Sequence, residues 1–293
     1  MRLKAVLPLL AAIGLVLVSG VLSGCSSVSS SNSPAHTGPP AGATRTTGGS
    51  GGGGRKNGDP EPGPAARAAA FRKWGIPVLA LPPAPPAVKP VRTGGPVVPV
   101  VSRVPTDKKI VFVTFDDGAE KDPAFVRMMR DLRVPFTMFL TDDIIKSDYG
   151  YFRPLQRLGN SIEDHTLSHP DLPLKSLAAQ KHEICAQQGK LAKEYGVRPG
   201  LFRPPYGAYN TATREAVKSC GGLRAIILWR ESMQIKRVTF QDPGKRFHPG
   251  DIILAHFRGP AQLKGESMTK MTANLLKEIA AQGFTVANLE DYV

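Results

Sequence analysis

Cysteine is scarce in this chain of 293 residues, with Cys25, Cys185 and Cys220 making up the whole complement. Cys185 and Cys220 are too far apart in sequence to suggest a zinc knuckle. Acidic residues are nearly missing from the first 105 positions, which hold two Asp or Glu against eleven Lys or Arg. The whole chain holds 24 acids against 38 bases, a formal net charge of +14. Most of the excess charge therefore belongs to the N-terminal third, and a basic segment of that kind suits an anionic surface such as cell-wall polymer or lipid headgroups. No nucleic-acid-binding motif accompanies the charge, so nucleic acid is not an expected partner. Internal repeats are absent as well. A hydrophobic content of 41% supports one ordinary core.

The N-terminus joins a basic M-R-L-K to an apolar stretch that ends L-S-G-C-S-S, the pattern of an export signal over residues 1–24. Leu22-Ser23-Gly24-Cys25 resembles a bacterial lipobox, which implies a lipidated Cys25 and an extracytoplasmic protein anchored to the cell membrane. An uncleaved anchor or a plain secretory signal are the alternatives, since the apolar length is near the ~18–20 residues that span a bilayer. In an oxidising compartment Cys185 and Cys220 are permitted to pair, but their spacing leaves a bridge and two buried thiols equally open.

Residues 25–105 are dominated by Ser, Gly, Pro, Thr and Ala, with G-G-S-G-G-G-G and P-P-A-P-P among them. Such composition buries too little apolar surface to offset ordering its backbone, so the stretch reads as a disordered basic tether, including the weak helical pattern at residues 65–74. From residue 106 to 293 strand-like runs alternate with amphipathic helical ones. Seven strands are expected, at 110–115, 135–141, 161–165, 201–205, 223–229, 251–256 and 284–289. Helical patterns lie between them, among them residues 175–194 and 266–281. Repeated strand then helix predicts an α/β fold with a parallel sheet, closed or nearly closed into a small barrel.

In such barrels chemistry gathers at the carboxyl ends of strands. There the chain places T-F-D-D-G, with Asp116 and Asp117, then His165 and His169 four residues apart, then R-P-P-Y-G with Arg203, Pro205 and Tyr206. Trp229-Arg230-Glu231 and His256-Phe257 follow on later strands. Two imidazoles at a spacing that brings them together on a helical turn, plus one carboxylate, suit a divalent metal, with zinc favoured by ligand type. Asp-Gly is also a common turn dipeptide, yet the first carboxylate is surplus to a turn. If Asp117 is a ligand, Asp116 lies beside the reacting water and can take its proton as general base.

In this order T-F-D-D-G, H-T-L-S-H, R-P-P-Y-G and L-A-H-F resemble the motifs of the NodB-homology polysaccharide deacetylases, carbohydrate esterase family 4, over about residues 106–293. The resemblance implies a distorted (β/α)7 barrel and metal-dependent removal of acetyl groups from N-acetylated amino sugars of a glycan. It further implies an Asp117-His165-His169 metal triad that takes zinc, with cobalt, nickel or manganese as alternatives, and Asp116 as base, oriented by Arg203. Tyr206 would offer its backbone N–H to the oxyanion and His256 would protonate the leaving amine. The sequence departs from the family where many relatives carry an Asp-Trp pair after the fifth strand. Here W-R-E-S-M stands instead, leaving Trp229, Glu231 and Pro205 as pocket candidates and Glu231 as a candidate partner for His256. Ala119 replaces a usual Pro, and Glu163-Asp164 replace a frequent Gly-Asn. A glycan-binding protein of weak activity and an esterase acting on O-acetylated polymer are the rival readings.

Overall fold

The computed structural model describes residues 62–293. The signal segment, Cys25 and the tether up to residue 61 lie outside the described residues. Ten strands and seven helices follow one another as α1 (Pro64–Lys73), β1 (Val100–Val101), β2 (Ile110–Asp117), α2 (Pro123–Leu132), β3 (Thr137–Leu140), α3 (Asp142–Ile145), α4 (Phe152–Arg157), β4 (Ser161–Asp164), α5 (Leu177–Tyr195), β5 (Leu201–Phe202), α6 (Thr211–Ser219), β6 (Ala225–Ile227), β7 (Glu231–Met233), β8 (Val238–Phe240), β9 (Ile252–His256), α7 (Met268–Ala281) and β10 (Thr285–Val286). All seven expected strands are present.

The strands form one curled sheet in the order β1-β6-β5-β4-β3-β2-β9-β7-β8, with β10 paired to the start of β2. Every pairing is parallel except β7 with β8. Beyond β1, the Val104 N–H donates to the Gly250 carbonyl at 2.8 Å and the Ile252 N–H to Ser102 at 3.4 Å, which brings the first strand round to β9. The alternating pattern predicts a closed or nearly closed barrel, and this curled sheet is the distorted form that the family resemblance implies.

Alternation along β2 decides what the barrel encloses. Ile110 and Phe112 pack inward with Leu201, Ala225, Ile227 and Ile252. Val111, Val113 and Phe115 pack outward with Phe125, Met128, Leu275 and Ile279 of the helical layer. Side chains two residues apart share a face, so Thr114 and Asp116 continue the inward row. The helices carry their own stop and start signals. Asp122 and Ser176 cap α2 and α5, Asn210 and Thr213 form a capping box on α6, and Gly196 ends α5 in the left-handed region.

One expectation is corrected. Residues 62–105 are not all tether: α1 buries Phe71 completely, Ile76 and Leu79 join the same core, and Trp74 donates to Asp131 of α2 at 2.8 Å. Low overall hydrophobicity hid a few well-spaced anchors, and Val100–Val101 add a strand to β6. The hairpin of β7 and β8 was also unforeseen, because three-residue strands are too short to show alternation. Cys185 and Cys220 form a disulfide between α5 and the end of α6.

Candidate active site and metal centre

Asp116 and Asp117 end β2, and the turn beyond them is tight. Asp117 and Gly118 both have positive φ, 72° and 93°. A Cβ on Gly118 would sit 2.4 Å from Ile145 Cγ2 and 2.9 Å from Phe152 Cζ, so only glycine fits there. The two carboxylates both come near His165 Nε2, Asp116 Oδ2 at 3.8 Å and Asp117 Oδ1 at 3.6 Å, but their other partners differ. Asp116, buried, accepts from Arg203 Nη1 at 2.6 Å through Oδ1. Asp117 Oδ1 is 3.6 Å from His165 Nε2 and 3.5 Å from His169 Nε2, and it is buried without a hydrogen-bond partner.

The two histidines reach this point from an irregular loop, not from the helical turn that their spacing suggested. Thr166 and His169 adopt φ of 70° and 58°. Asp164 Oδ1 accepts from the Thr166 N–H at 2.9 Å, Thr166 Oγ1 accepts from the His169 N–H at 3.0 Å, and Glu183 of α5 holds Ser168 through both its oxygens. Glu163 accepts from the Gly200 and Leu201 N–H groups at 2.8 and 2.7 Å, tying β4 to the start of β5. Glu163-Asp164 therefore have a local task in this chain: one joins strands and the other shapes the histidine loop.

Arg203 is fully buried in the barrel. Its Nη1 also donates to Thr114 Oγ1 at 2.6 Å and its Nε to the Ile227 carbonyl at 3.2 Å, and the guanidinium lies 4.2 Å above the Phe139 ring. Its own carbonyl accepts from His165 Nδ1 at 2.7 Å, which leaves the Nε2 lone pair facing Asp117. Thr114 and Phe139 were not singled out beforehand. Thr114 could have been found, since it precedes Asp116 on the same face of one strand.

The electrostatics follow from burial. Desolvation raises Asp116 to about 6 despite Arg203, and it raises Asp117 as well. It lowers His165 to about 4, so this imidazole is neutral and available as a ligand. The atoms that Asp117, His165 and His169 offer lie within 4.8 Å of one another. An ion held tetrahedrally at ~2.1 Å sets its ligand atoms about 3.4 Å apart, close to the spacings observed. An orphaned carboxylate oxygen, a tautomer fixed by a carbonyl and a carboxylate-plus-two-imidazole donor set all fit a divalent cation.

His256 lies beside Asp116 in register across β2 and β9. Burial first, then the charge of Arg258, pushes it down to about 3, and no carboxylate counters them. Glu231 does not serve it. Glu231 is in register with Ile253, whose side chain packs in the outer core, so it shares that face and meets Asp251 instead. Glu231 is thus removed from the pocket, and Met233 joins the outer core too. Trp229 is brought to the site: its ring is 5.7 Å from the Arg203 guanidinium, and a Cβ on Gly207 would touch it at 3.0 Å. Pro205 is buried, and the neighbouring Tyr206 is exposed, has φ of 60° and lies with its ring 4.7 Å from that of His169.

A curled parallel sheet carries, at its carboxyl edge, a possible three-residue metal site beside a buried carboxylate held by arginine. The polysaccharide deacetylase family matches residues 103–224. A Streptomyces coelicolor protein described as uncharacterized is 43% identical over 196 residues, covering 67% of this chain and 77% of that one. A peptidoglycan-N-acetylglucosamine deacetylase of Bacillus cereus is 27% identical over 208 residues, 66% of this chain and 93% of that one. The crystal structure of a carbohydrate esterase family 4 pseudoenzyme from Bacillus anthracis superposes with a TM-score of 0.56 at 16% identity, covering 78% of this chain and 80% of that one, which bears on the fold alone. The chain belongs to the polysaccharide deacetylase family.

Proposed function

We propose that this protein is a metal-dependent hydrolase that removes N-acetyl groups from amino sugars of a cell-envelope or extracellular glycan, of peptidoglycan or poly-N-acetylglucosamine type. The observation that carries this reading is the division of labour between adjacent carboxylates: Asp117 faces two imidazoles with an unpaired oxygen, while Asp116 is held by Arg203. A divalent cation, zinc by ligand type, bound by Asp117, His165 and His169 would supply Lewis-acid polarisation of the acetamide carbonyl.

Asp116 takes the proton of the attacking water. A carboxylate at about 6 is a stronger base than a free one near ~4, and Arg203 keeps its second oxygen aimed inward. The tetrahedral oxyanion receives the backbone N–H of Tyr206, a kind of contact worth about 3–4 kcal/mol of barrier. His256 starts neutral. Negative charge growing beside it raises its basicity, so it accepts the proton from Asp116 and delivers it to the leaving nitrogen as the C–N bond breaks. Trp229 and Pro205 wall the acetyl side. Lipidation of Cys25, which lies outside the described residues, would hold the enzyme at the outer face of the cell membrane, and the basic N-terminal segment would favour anionic wall or lipid.

The test is acetate release from N-acetylglucosamine oligomers by the metal-loaded protein. A chelator should abolish it, and Asp116→Asn should lower kcat by about 10²–10⁴-fold while leaving thermal unfolding intact. An Asp116→Asn protein of full activity would end this mechanism. One observation favours a second reading: His256 has no carboxylate partner among the described residues, and an alkoxide needs less help in leaving than an amine does. Aryl acetates and N-acetylated oligomers assayed in parallel separate an esterase from an amidase.

A further inference from the structure

Arg258 stands at the mouth of the site without a counterion. It follows Phe257, whose ring is buried among Phe115, Phe125 and Phe152 on the outer side of the barrel and whose N–H donates to the Asp116 carbonyl at 3.1 Å. That anchor fixes the backbone on either side, so the half-buried His256 and Arg258 flank it at the carboxyl end of β9. Arg258 makes no ion pair or hydrogen bond among the described residues. Three of the neighbouring charged groups have contacts elsewhere. Asp116 is bound to Arg203, Asp117 faces the histidines, and Lys121 donates to the Gly118 and Ile144 carbonyls. Glu120 lies against Gly259 but forms no ion pair with Arg258.

Side chains alternate about the outward Phe257, so Arg258 falls on the same side as His256, the inward face that carries Asp116 across the strand pair. Asp116 is already paired with Arg203, so a divalent cation held by Asp117 and the two neutral imidazoles would leave the pocket with a positive excess. A half-desolvated guanidinium in such a place favours an anion, and its fork geometry matches a carboxylate best.

We propose that Arg258 is a specificity-determining residue that pairs with a carboxylate carried by the acetylated sugar itself, next to the acetamide, as in an amino sugar bearing a lactyl ether. This rests on the deacetylase reading and narrows it: the preferred substrate is an acidic N-acetyl sugar and not a neutral one.

The experiment compares a peptide-free tetrasaccharide of alternating N-acetylglucosamine and N-acetylmuramic acid with the same tetrasaccharide after its carboxyl groups are converted to amides. The metal-loaded wild type should favour the acidic form by about tenfold to a hundredfold in kcat/KM. Arg258→Gln should bring that ratio close to one, and Arg258→Lys should keep part of it. A wild-type ratio near one, or a ratio that Arg258→Gln leaves intact, overturns the proposal. If neither sugar yields acetate, the deacetylase reading fails and the same pair is compared by calorimetric binding. Tighter binding of the acidic form that is lost in Arg258→Gln still upholds the role of Arg258, and equal affinities overturn it.

Discussion

Glu231 illustrates how a single buried acid records its surroundings. It is 1% exposed, and its Oε2 has no hydrogen-bond partner. Burial first, then the neighbouring Asp251, pushes its carboxyl up to about 8, with Arg103 and Arg230 opposing. The folded protein therefore holds a proton there that the unfolded chain releases at its ordinary, lower pKa. Stability from this proton is fully present below the unfolded pKa and is lost as pH rises through about 8. Glu231→Gln supplies a permanent neutral group of the same shape. Its melting temperature relative to wild type is expected to rise between about pH 5 and about pH 9, and parallel pH curves for the two proteins would count against the shared proton. Asp116 belongs to the same physics with the opposite emphasis, since Arg203 spends a buried guanidinium on keeping it ionised and aimed.

At the scale of elements, short pieces of chain act through what they touch. α1 has no amphipathic stripe to speak of, yet its one fully buried side chain, Phe71, enters the core shared with α2, and Lys73 and Trp74 both reach Asp131. Phe71→Ala should cost about 3–5 kcal/mol of unfolding free energy, the usual loss for a large aromatic removed from a core. A variant as stable as wild type in urea would return α1 to the tether. The histidine loop makes the related point for function. A helical turn was the expected carrier of His165 and His169, but two left-handed residues and the side chains of Asp164, Thr166 and Glu183 bring the imidazoles together instead. Spacing of four allowed convergence, and the particular backbone route depended on partners far along the chain.

Across the whole molecule, the curl of the sheet assembles groups from β2, β4, β5, β6 and β9 at one edge, and distant ties hold that curl. Arg203 alone joins β2 to β5 and to the Ile227 carbonyl of β6. On the outside the Cys185–Cys220 bridge closes a loop with a sequence separation of 35 between α5 and α6. Replacing both cysteines with serine should lower stability by about 2–4 kcal/mol, since the unfolded chain regains the entropy of that loop. Because the bridge lies away from the carboxyl ends of the strands, kcat at temperatures well below unfolding should stay at the wild-type level. Loss of acetate release in the folded double variant would show instead that α5 and its hold on Ser168 depend on the bridge.

The order of motifs, the strands that carry them and the candidacy of Asp116, Asp117, His165, His169 and His256 were legible in the linear sequence. Each depends on local periodicity or on side-chain chemistry, which neighbours along the chain decide. Three things became visible only in the folded protein: that residues 62–105 contain structural anchors, that Glu231 faces Asp251 and not His256, and that Arg258 stands unpaired beside the centre. All three turn on which long-range neighbour a side chain meets. Strand register sets the face of Glu231, packing density rewards a lone Phe71 that composition averages away, and the commitment of Asp116 to Arg203 helps leave Arg258 without a partner.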